Sequence, residues 1–77
     1  MSELEQEVLA LVAQAFNKDK SELTLDTHFK EELAASSLLM VSLIANIEDE
    51  LDVMIPISEA AKFKTIADLV KAVEAEM

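Results

Sequence analysis

Two adjacent hydroxyl groups, those of Ser36 and Ser37, are the groups in this sequence best placed to do chemistry. They directly precede the longest mainly apolar stretch of the chain, residues 38–47. A serine before an apolar helix most often caps free backbone amides. The same position also suits a phosphodiester, because a helix N-terminus presents free N–H groups and the positive end of the helix dipole. The local sequence leaves both roles open, with the cap the commoner one.

Nucleophilic catalysis by these serines finds little support in the rest of the sequence. His28 is the only histidine, and a Ser-His-Asp triad would require it and a carboxylate such as Asp26 to converge on the serines. No nucleophile-elbow pattern surrounds either serine. We therefore predict no catalytic residue, and we interpret His28 as a loop or surface residue.

The densest group of carboxylates lies at residues 48–52 and is interpreted as a solvated helix face. One histidine cannot form a metal cluster, and a chain without cysteine or glycine has neither Cys-ligated zinc nor the glycine turn of an EF-hand loop. We predict no metal site. Weak binding of divalent cations by adjacent carboxylates stays open.

Length and charge limit the classes of function that the chain can have. Its 77 residues make one domain, residues 1–77, because so short a chain cannot bury two cores. Sixteen acidic residues against six lysines give a formal net charge of -10 at pH 7, which repels nucleic acid and anionic lipid surfaces. Partners with basic surfaces are favoured, and we expect their binding to be transient.

The expected location is the cytoplasm. The chain has no cysteine, which fits a reducing compartment. Its first residues are acidic, unlike those of a targeting segment, and residues 38–47 are too few to span a bilayer. We expect a soluble, monomeric protein without stable membrane association.

Apolar residues at helical spacing predict a first helix over residues 3–16. Asn17 follows it, and in a chain without glycine an asparagine is the residue best able to take the left-handed conformation that ends a helix. The long connection over residues 18–36 is predicted to be ordered, with a short helical turn over residues 30–35. Four apolar residues can anchor it to the core: Leu23, Leu25, Phe29 and Leu33.

A second helix is predicted from Ser36 or Ser37 to Leu51, with two apolar faces. The broad face enters the core and contains Met40, Leu43, Ile44, Ile47 and Leu51. A second stripe on nearly the opposite side contains Leu38, Val41 and Ala45, and it borders Glu48, Asp49 and Asp52. An apolar strip rimmed by carboxylates is typical of a docking surface.

Two more helices complete an all-α fold. Pro56 interrupts the helical pattern, after which Ser58 is predicted to cap a short third helix ending near Lys62. Thr65 and Asp68 form the pattern of a capping box, which predicts the start of a fourth helix. We expect a four-helix bundle with three long helices and a short third one.

The segment Leu33-Ala34-Ala35-Ser36-Ser37-Leu38, followed by the acidic residues 48–52 and by Ile55-Pro56, resembles the signature of the acyl carrier protein family. In that family a Leu-Gly-Ala-Asp-Ser-Leu segment opens the second helix, and an acidic helix end leads to Ile-Pro. The spacing between Ser37 and Pro56 agrees with the family without a gap. Phe29, Lys62, Phe63 and Thr65 also stand where the family has similar residues, so the resemblance covers nearly the whole chain.

The resemblance implies a carrier that is not an enzyme, with a 4'-phosphopantetheine cofactor attached covalently to Ser37. It implies as partners a phosphopantetheinyl transferase and acyl-processing enzymes with basic surfaces, from fatty acid or related lipid biosynthesis. The docking residues would be Leu38, Val41, Glu48, Asp49 and Asp52. The cleft that shelters the acyl chain would be lined by Phe29, Met40, Ile44, Ile47, Ile55, Ala60, Phe63 and Leu69.

Three departures from the family pattern keep alternatives open. Ala34 replaces a glycine, which predicts a more helical approach to the serines, and Ser36 replaces an aspartate. Lys30 stands where the family is usually apolar. Attachment at Ser36 stays open, as does a specialised carrier for lipopolysaccharide, polyketide, aminoacyl or peptidyl pathways. The rival from another class is an unmodified acidic adaptor whose second helix docks on a basic partner.

Overall fold

A computed structural model describes residues 2–60 and 62–77 of the chain. Over these residues the only β-structure is an isolated bridge between His28 and Thr65, so the all-α prediction is confirmed. The helices in the described residues are α1 (Glu3–Ala15), α2 (Phe29–Leu33), α3 (Ser37–Leu51), α4 (Ile57–Ala60) and α5 (Ile66–Ala75). The short helical turn predicted over residues 30–35 is present as α2, while the 3-10 turn over Lys20–Glu22 was not predicted.

The first helix begins and ends through local chemistry. At its start the Glu5 N–H donates to Ser2 Oγ at 3.2 Å, while the Ser2 N–H donates to Glu5 Oε1 at 2.7 Å, which is a capping box. At its end Asn17 has φ 55°, so the predicted left-handed residue is confirmed. An asparagine tolerates this conformation better than most residues, because its short polar side chain can bond locally.

A single core lies between α1, α3 and α5. Most of its residues are aliphatic and come from the inward faces of these three helices, as the spacing of the apolar residues predicted, and Phe29 joins them from α2. Because the chain has no Trp or Tyr, the only aromatic contact recorded in the described part joins Phe16 and Phe29, whose ring centroids are 6.4 Å apart. The most deeply buried of the aliphatic residues are Val8, Leu9, Val12, Leu43, Ile44, Ile47, Ile66, Leu69 and Val73.

The long connection between α1 and α3 is ordered, as predicted, and its backbone bonds to the start of α5. The Ile66 N–H donates to the Thr27 carbonyl at 3.1 Å, and the Phe29 N–H donates to the Lys64 carbonyl at 3.0 Å. Leu23 and Phe29 are buried beneath these bonds, while Leu25 and Leu33 pack against the core. Phe29 is therefore held by its backbone bond to Lys64 and by the burial of its side chain. It lies directly before the segment that leads to the two serines.

The prediction for the short third helix was wrong in its first residue. The helix α4 begins at Ile57, so Ser58 lies inside it and does not cap it. The Glu59 N–H donates to the Pro56 carbonyl at 2.9 Å, so Pro56 is the residue that directly precedes the helix and accepts a bond from its first turn. The predicted continuation to Lys62 passes through Ala61, which lies outside the described residues.

The predicted capping box of α5 is confirmed. The Asp68 N–H donates to Thr65 Oγ1 at 3.4 Å, and Asp68 Oδ2 accepts from the N–H groups of Lys64 at 2.9 Å and of Thr65 at 3.2 Å. These two backbone donors, Lys64 first, hold the pKa of the Asp68 carboxyl below its ordinary value of 3.8. The charged carboxylate is therefore the form that stabilises the fold.

The variant Asp68→Asn keeps an acceptor oxygen but removes the negative charge from the first turn of α5, so it should lower the free energy of unfolding by about 0.3 to 1 kcal/mol near pH 7. A carboxyl whose pKa is lowered by folding stabilises the protein above its unfolded pKa, and this contribution disappears as the pH falls through the folded pKa. The difference in unfolding free energy between Asp68→Asn and the parent should therefore begin to shrink near pH 3.8. It should close as the pH falls through the lowered pKa of the folded protein. Urea unfolding at several pH values measures it, with the exposed loop variant Asp26→Asn as control. A difference that stays constant down to pH 2 would contradict the role of the charge.

Candidate functional site

The two serines have different roles at the start of α3. Ser36 is the N-cap residue, and its Oγ accepts a hydrogen bond from the Leu39 N–H at 3.2 Å. Ser37 is the first residue of the helix and is exposed. The cap that the sequence predicted is thus made by Ser36, and the Ser37 hydroxyl is presented to solvent beside the free amides of the first turn.

The turn that leads into the serines depends on a left-handed residue. Ala34 has φ 51° and ψ 40° and ends α2, and the N–H groups of Ala34 and Ala35 both point to the Phe29 carbonyl. The expectation of a more helical approach was therefore wrong, since α2 ends at Leu33, two residues before the predicted end of the turn at residue 35. An alanine adopts this conformation only at a cost, because its Cβ crowds the following carbonyl.

Replacing Ala34 with glycine should stabilise the protein by about 0.5 to 1 kcal/mol. Glycine removes the crowding of the left-handed conformation, and its greater entropy in the unfolded chain offsets part of the gain. Chemical unfolding of Ala34→Gly measures the effect. The control is Ala10→Gly at an exposed position inside α1, where a loss of about 1 kcal/mol is expected. Equal losses in both variants would contradict the strained turn.

A cavity of about 280 Å³ opens beside Ser37, between the start of α3, α2 and the segment that contains α4. Most of its wall is apolar, and both serines lie at its edge. Lys30 is the only charged residue among its described neighbours. The lining residues are Phe29, Lys30, Ala35, Ser36, Ser37, Met40, Val41, Ala60 and Phe63.

Half of the predicted cleft residues line this cavity and half do not. Phe29, Met40, Ala60 and Phe63 belong to its wall. The other four, Ile44, Ile47, Ile55 and Leu69, are buried in the core behind it. Ala35 and Val41 were not predicted as lining residues, although Val41 follows Ser37 by four positions and so lies on the same face of α3.

The predicted docking residues lie along α3 and differ in how freely they are exposed. Leu38 is 78% exposed and Val41 is 38% exposed, while Asp49 and Asp52 also face solvent. Glu48 is half-buried, and its Oε2 accepts a hydrogen bond from the Ile55 N–H at 2.9 Å. One oxygen of this carboxylate therefore holds the loop after α3 in place, a structural role that the sequence did not reveal.

The remaining polar candidates lie away from any recognisable reaction centre. His28 is partly exposed at the N-cap of α2, with its Nδ1 3.5 Å from Glu32 Oε2. No group of three or more histidine and carboxylate side chains in residues 2–60 and 62–77 is arranged to hold a metal ion. In the same residues no helix has both the length and the apolar character that crossing a bilayer requires.

Comparison with known families and proteins gives concordant results. The family model that matches this chain is described as a phosphopantetheine attachment site, and it covers residues 6–73. Proteins named acyl carrier protein are 45% identical in Rickettsia massiliae and 44% identical in Rickettsia typhi. Each of these matches spans 71 residues, which is 92% of this chain and 83% of the relative.

The fold also has a counterpart among solved structures. The apo doublet acyl carrier protein from prodigiosin biosynthesis, solved in solution, superposes with a TM-score of 0.81 over 95% of this chain. The sequences are 23% identical, so this likeness concerns the fold alone. The chain spans about a third of that longer protein, 35% of its length.

Proposed function

Since this chain belongs to the acyl carrier protein family of phosphopantetheine-bearing proteins, we propose that Ser37 holds a 4'-phosphopantetheine arm and that the protein carries acyl groups on it. When bound, the arm supplies a thiol that holds acyl groups as thioesters. The observation that supports Ser37 most strongly is the division of roles between the two serines. Both serines are exposed and line the cavity, but the Ser36 hydroxyl caps α3 through the Leu39 N–H, whereas Ser37 is the first residue of the helix.

The residues around Ser37 fit a phosphodiester. The first turn of α3 contains no acidic residue, so no carboxylate of that turn repels an anion on Ser37. The N–H groups of Ser37 and Leu38 belong to the first turn and have no partner within the helix. Together they make an anion-tolerant position in a chain whose net charge is -10.

The cavity beside Ser37 supports a role in sheltering the acyl chain. Its aromatic and aliphatic wall can bury methylene groups, and Met40 can adapt to their shape because its side chain is flexible. Ile44, Ile47, Ile55 and Leu69 stand behind that wall, where they can contribute only if the cavity deepens on loading. The shelter therefore starts from Phe29, Met40, Ala60 and Phe63.

Docking on partner enzymes is proposed to use the exposed side of α3. Leu38 and Val41 supply apolar contact, while Asp49, Asp52 and the free oxygen of Glu48 pair with lysine or arginine of the enzyme. The carboxylates are confined to the last turns of the helix, so recognition is shifted toward its C-terminal half. The partners are the transferase that installs the arm and acyl-processing enzymes of the cytoplasm, which a monomeric carrier would visit in turn.

The pathway served is fatty acid or related lipid biosynthesis, with a specialised carrier as the second candidate. The absence of acid from the first turn of α3 and the lysine at the cavity favour the specialised carrier. Intact mass of the protein isolated from its own host tests both proposals, because it reports the arm and its cargo. Fragmentation should locate the arm on Ser37. A protein that carries no added mass, and that a transferase with coenzyme A leaves unchanged, would favour the unmodified adaptor.

A further inference from the structure

Lys30 lies at the entrance to the Ser37 cavity, on α2. It lines that cavity and also the neighbouring surface hollow, which is formed with His28, Glu31, Phe63 and Lys64. Phe63 is shared by the same two hollows, so Lys30 stands on the border between them. Its side chain is exposed, which allows the ammonium group to move toward an anion that arrives beside Ser37.

Among the described residues that line the two hollows, the lysines Lys30 and Lys64 outnumber the carboxylates, although the chain as a whole is acidic. The chain has sixteen carboxylates, yet neither ion pair found in the described part of the protein includes Lys30. Those pairs join His28 to Glu32 and Lys62 to Glu59. Among the described lining residues Glu31 is the only carboxylate, and it belongs to the hollow that does not include Ser37.

A lysine is not needed to line a cavity for a plain alkyl chain. Its aliphatic stem can cover apolar surface, but the ammonium group must then stay in water. The same ammonium group gains an ion pair if an anionic oxygen is placed near it. The arm proposed on Ser37 brings such an oxygen in its phosphodiester, and an acyl group that ends in a carboxylate brings a second one.

We propose that Lys30 is an anion-binding residue at the entrance to the Ser37 cavity and that it pairs with an anionic oxygen carried by the loaded arm. This inference rests on the proposed function, because it requires an arm on Ser37. It adds to that function a preference for cargo that carries negative charge. Cargo that brings negative charge to the entrance is held there, whereas in the absence of Lys30 an apolar entrance would favour only alkyl chains.

The test compares melting temperatures of the parent, Lys30→Met and Lys30→Arg in four states at low ionic strength. The states are apo, holo, holo loaded with an eight-carbon chain ending in a methyl group, and holo loaded with an eight-carbon chain ending in a carboxylate. Lys18→Met is the matched control, since it removes one exposed lysine from the loop after α1 and changes the net charge equally.

Lys30→Met should lower the melting temperature of an anion-bearing state by roughly 1 to 8 °C more than that of the apo protein, the range of one exposed ion pair in a domain of this size. Lys30→Arg should keep the melting temperature of the parent in each state. High salt should remove the extra loss that Lys30→Met shows in the anion-bearing states. A loss already present in the holo state identifies the phosphodiester as the anion. A loss confined to the carboxylate-ended chain identifies the cargo.

Equal effects of Lys30→Met and Lys18→Met in all four states would overturn the inference while leaving the carrier function intact. Failure of a transferase to modify the parent is a different result. It would overturn the proposed function, and this inference with it.

Discussion

Ser37→Ala should abolish attachment of the arm, whereas Ser36→Ala should still be modified and should lose about 1 kcal/mol of stability. The first variant removes the oxygen that we propose forms the phosphoester bond, and the neighbouring Ser36 hydroxyl serves as the helix cap. The second removes the acceptor of the Leu39 N–H, which is 3.2 Å from Ser36 Oγ, and a lost serine cap costs roughly 0.5 to 2 kcal/mol. Incubation with a transferase and coenzyme A, followed by intact mass and thermal unfolding, measures both effects.

The control for this pair is Ser36→Asp. Aspartate caps a helix as well as serine does, so the variant should fold like the parent and keep Ser37 in its first turn. Ser36→Ala could lose modification either because the start of α3 frays or because Ser36 is the attachment site. Ser36→Asp distinguishes these causes, since it keeps the cap and removes only the Ser36 hydroxyl. Modification that persists in Ser37→Ala and vanishes in Ser36→Ala and Ser36→Asp would move the arm to Ser36.

The sequence predicted those features of the fold that depend on neighbouring residues. The helix that begins at Ser37 and ends at Leu51 follows from apolar spacing and a serine cap, and the start of α5 follows from the pairing of Thr65 with Asp68. Asn17 was predicted to be left-handed because few other residues tolerate that conformation. In each of these cases the interaction that decides the structure spans only a few positions of the chain.

The path from α1 to α3 could be predicted only in part, because distant residues decide it. Phe29 is fixed by a backbone bond to Lys64, thirty-five positions away in the numbering, and nothing near Phe29 in sequence indicates that partner. The left-handed conformation of Ala34 is likewise decided by contacts distant in sequence. The chain must turn sharply between α2 and α3, and an alanine accepts the strain because both helices are held by the core.

The extent of the cavity beside Ser37 could not be predicted from residue types. Ile44 and Met40 are both apolar and both face inward from α3, yet only Met40 reaches the cavity. Spacing along one helix assigns a face, and the depth of a side chain beneath that face depends on what packs against it. The structural use of Glu48 was hidden for a similar reason, since its partner Ile55 lies beyond the end of the helix.

Loading a ten-carbon acyl chain on the holo protein should raise its melting temperature by roughly 5 to 15 °C. The cavity of about 280 Å³ has a mainly apolar wall, and each buried methylene contributes about 0.8 kcal/mol. Burial of about four methylenes, reduced by the entropy lost when the chain is ordered, leaves roughly 1 to 2 kcal/mol. In a domain of this size about 1 kcal/mol corresponds to a shift of 4 to 8 °C. Calorimetry of holo and decanoyl forms measures the difference.

Ala60→Leu tests whether this gain comes from the cavity. Ala60 is 7% exposed and lines the wall, so a leucine there occupies space that the acyl chain would enter. The gain on loading should fall by more than half in this variant, while Ala10→Leu on the exposed side of α1 should keep the full gain. Comparing loaded with unloaded protein inside each variant cancels any effect of the leucine on the fold itself. If decanoyl and holo forms of the parent melted together, the acyl chain would lie in solvent, and the cavity beside Ser37 would have no part in carrying it.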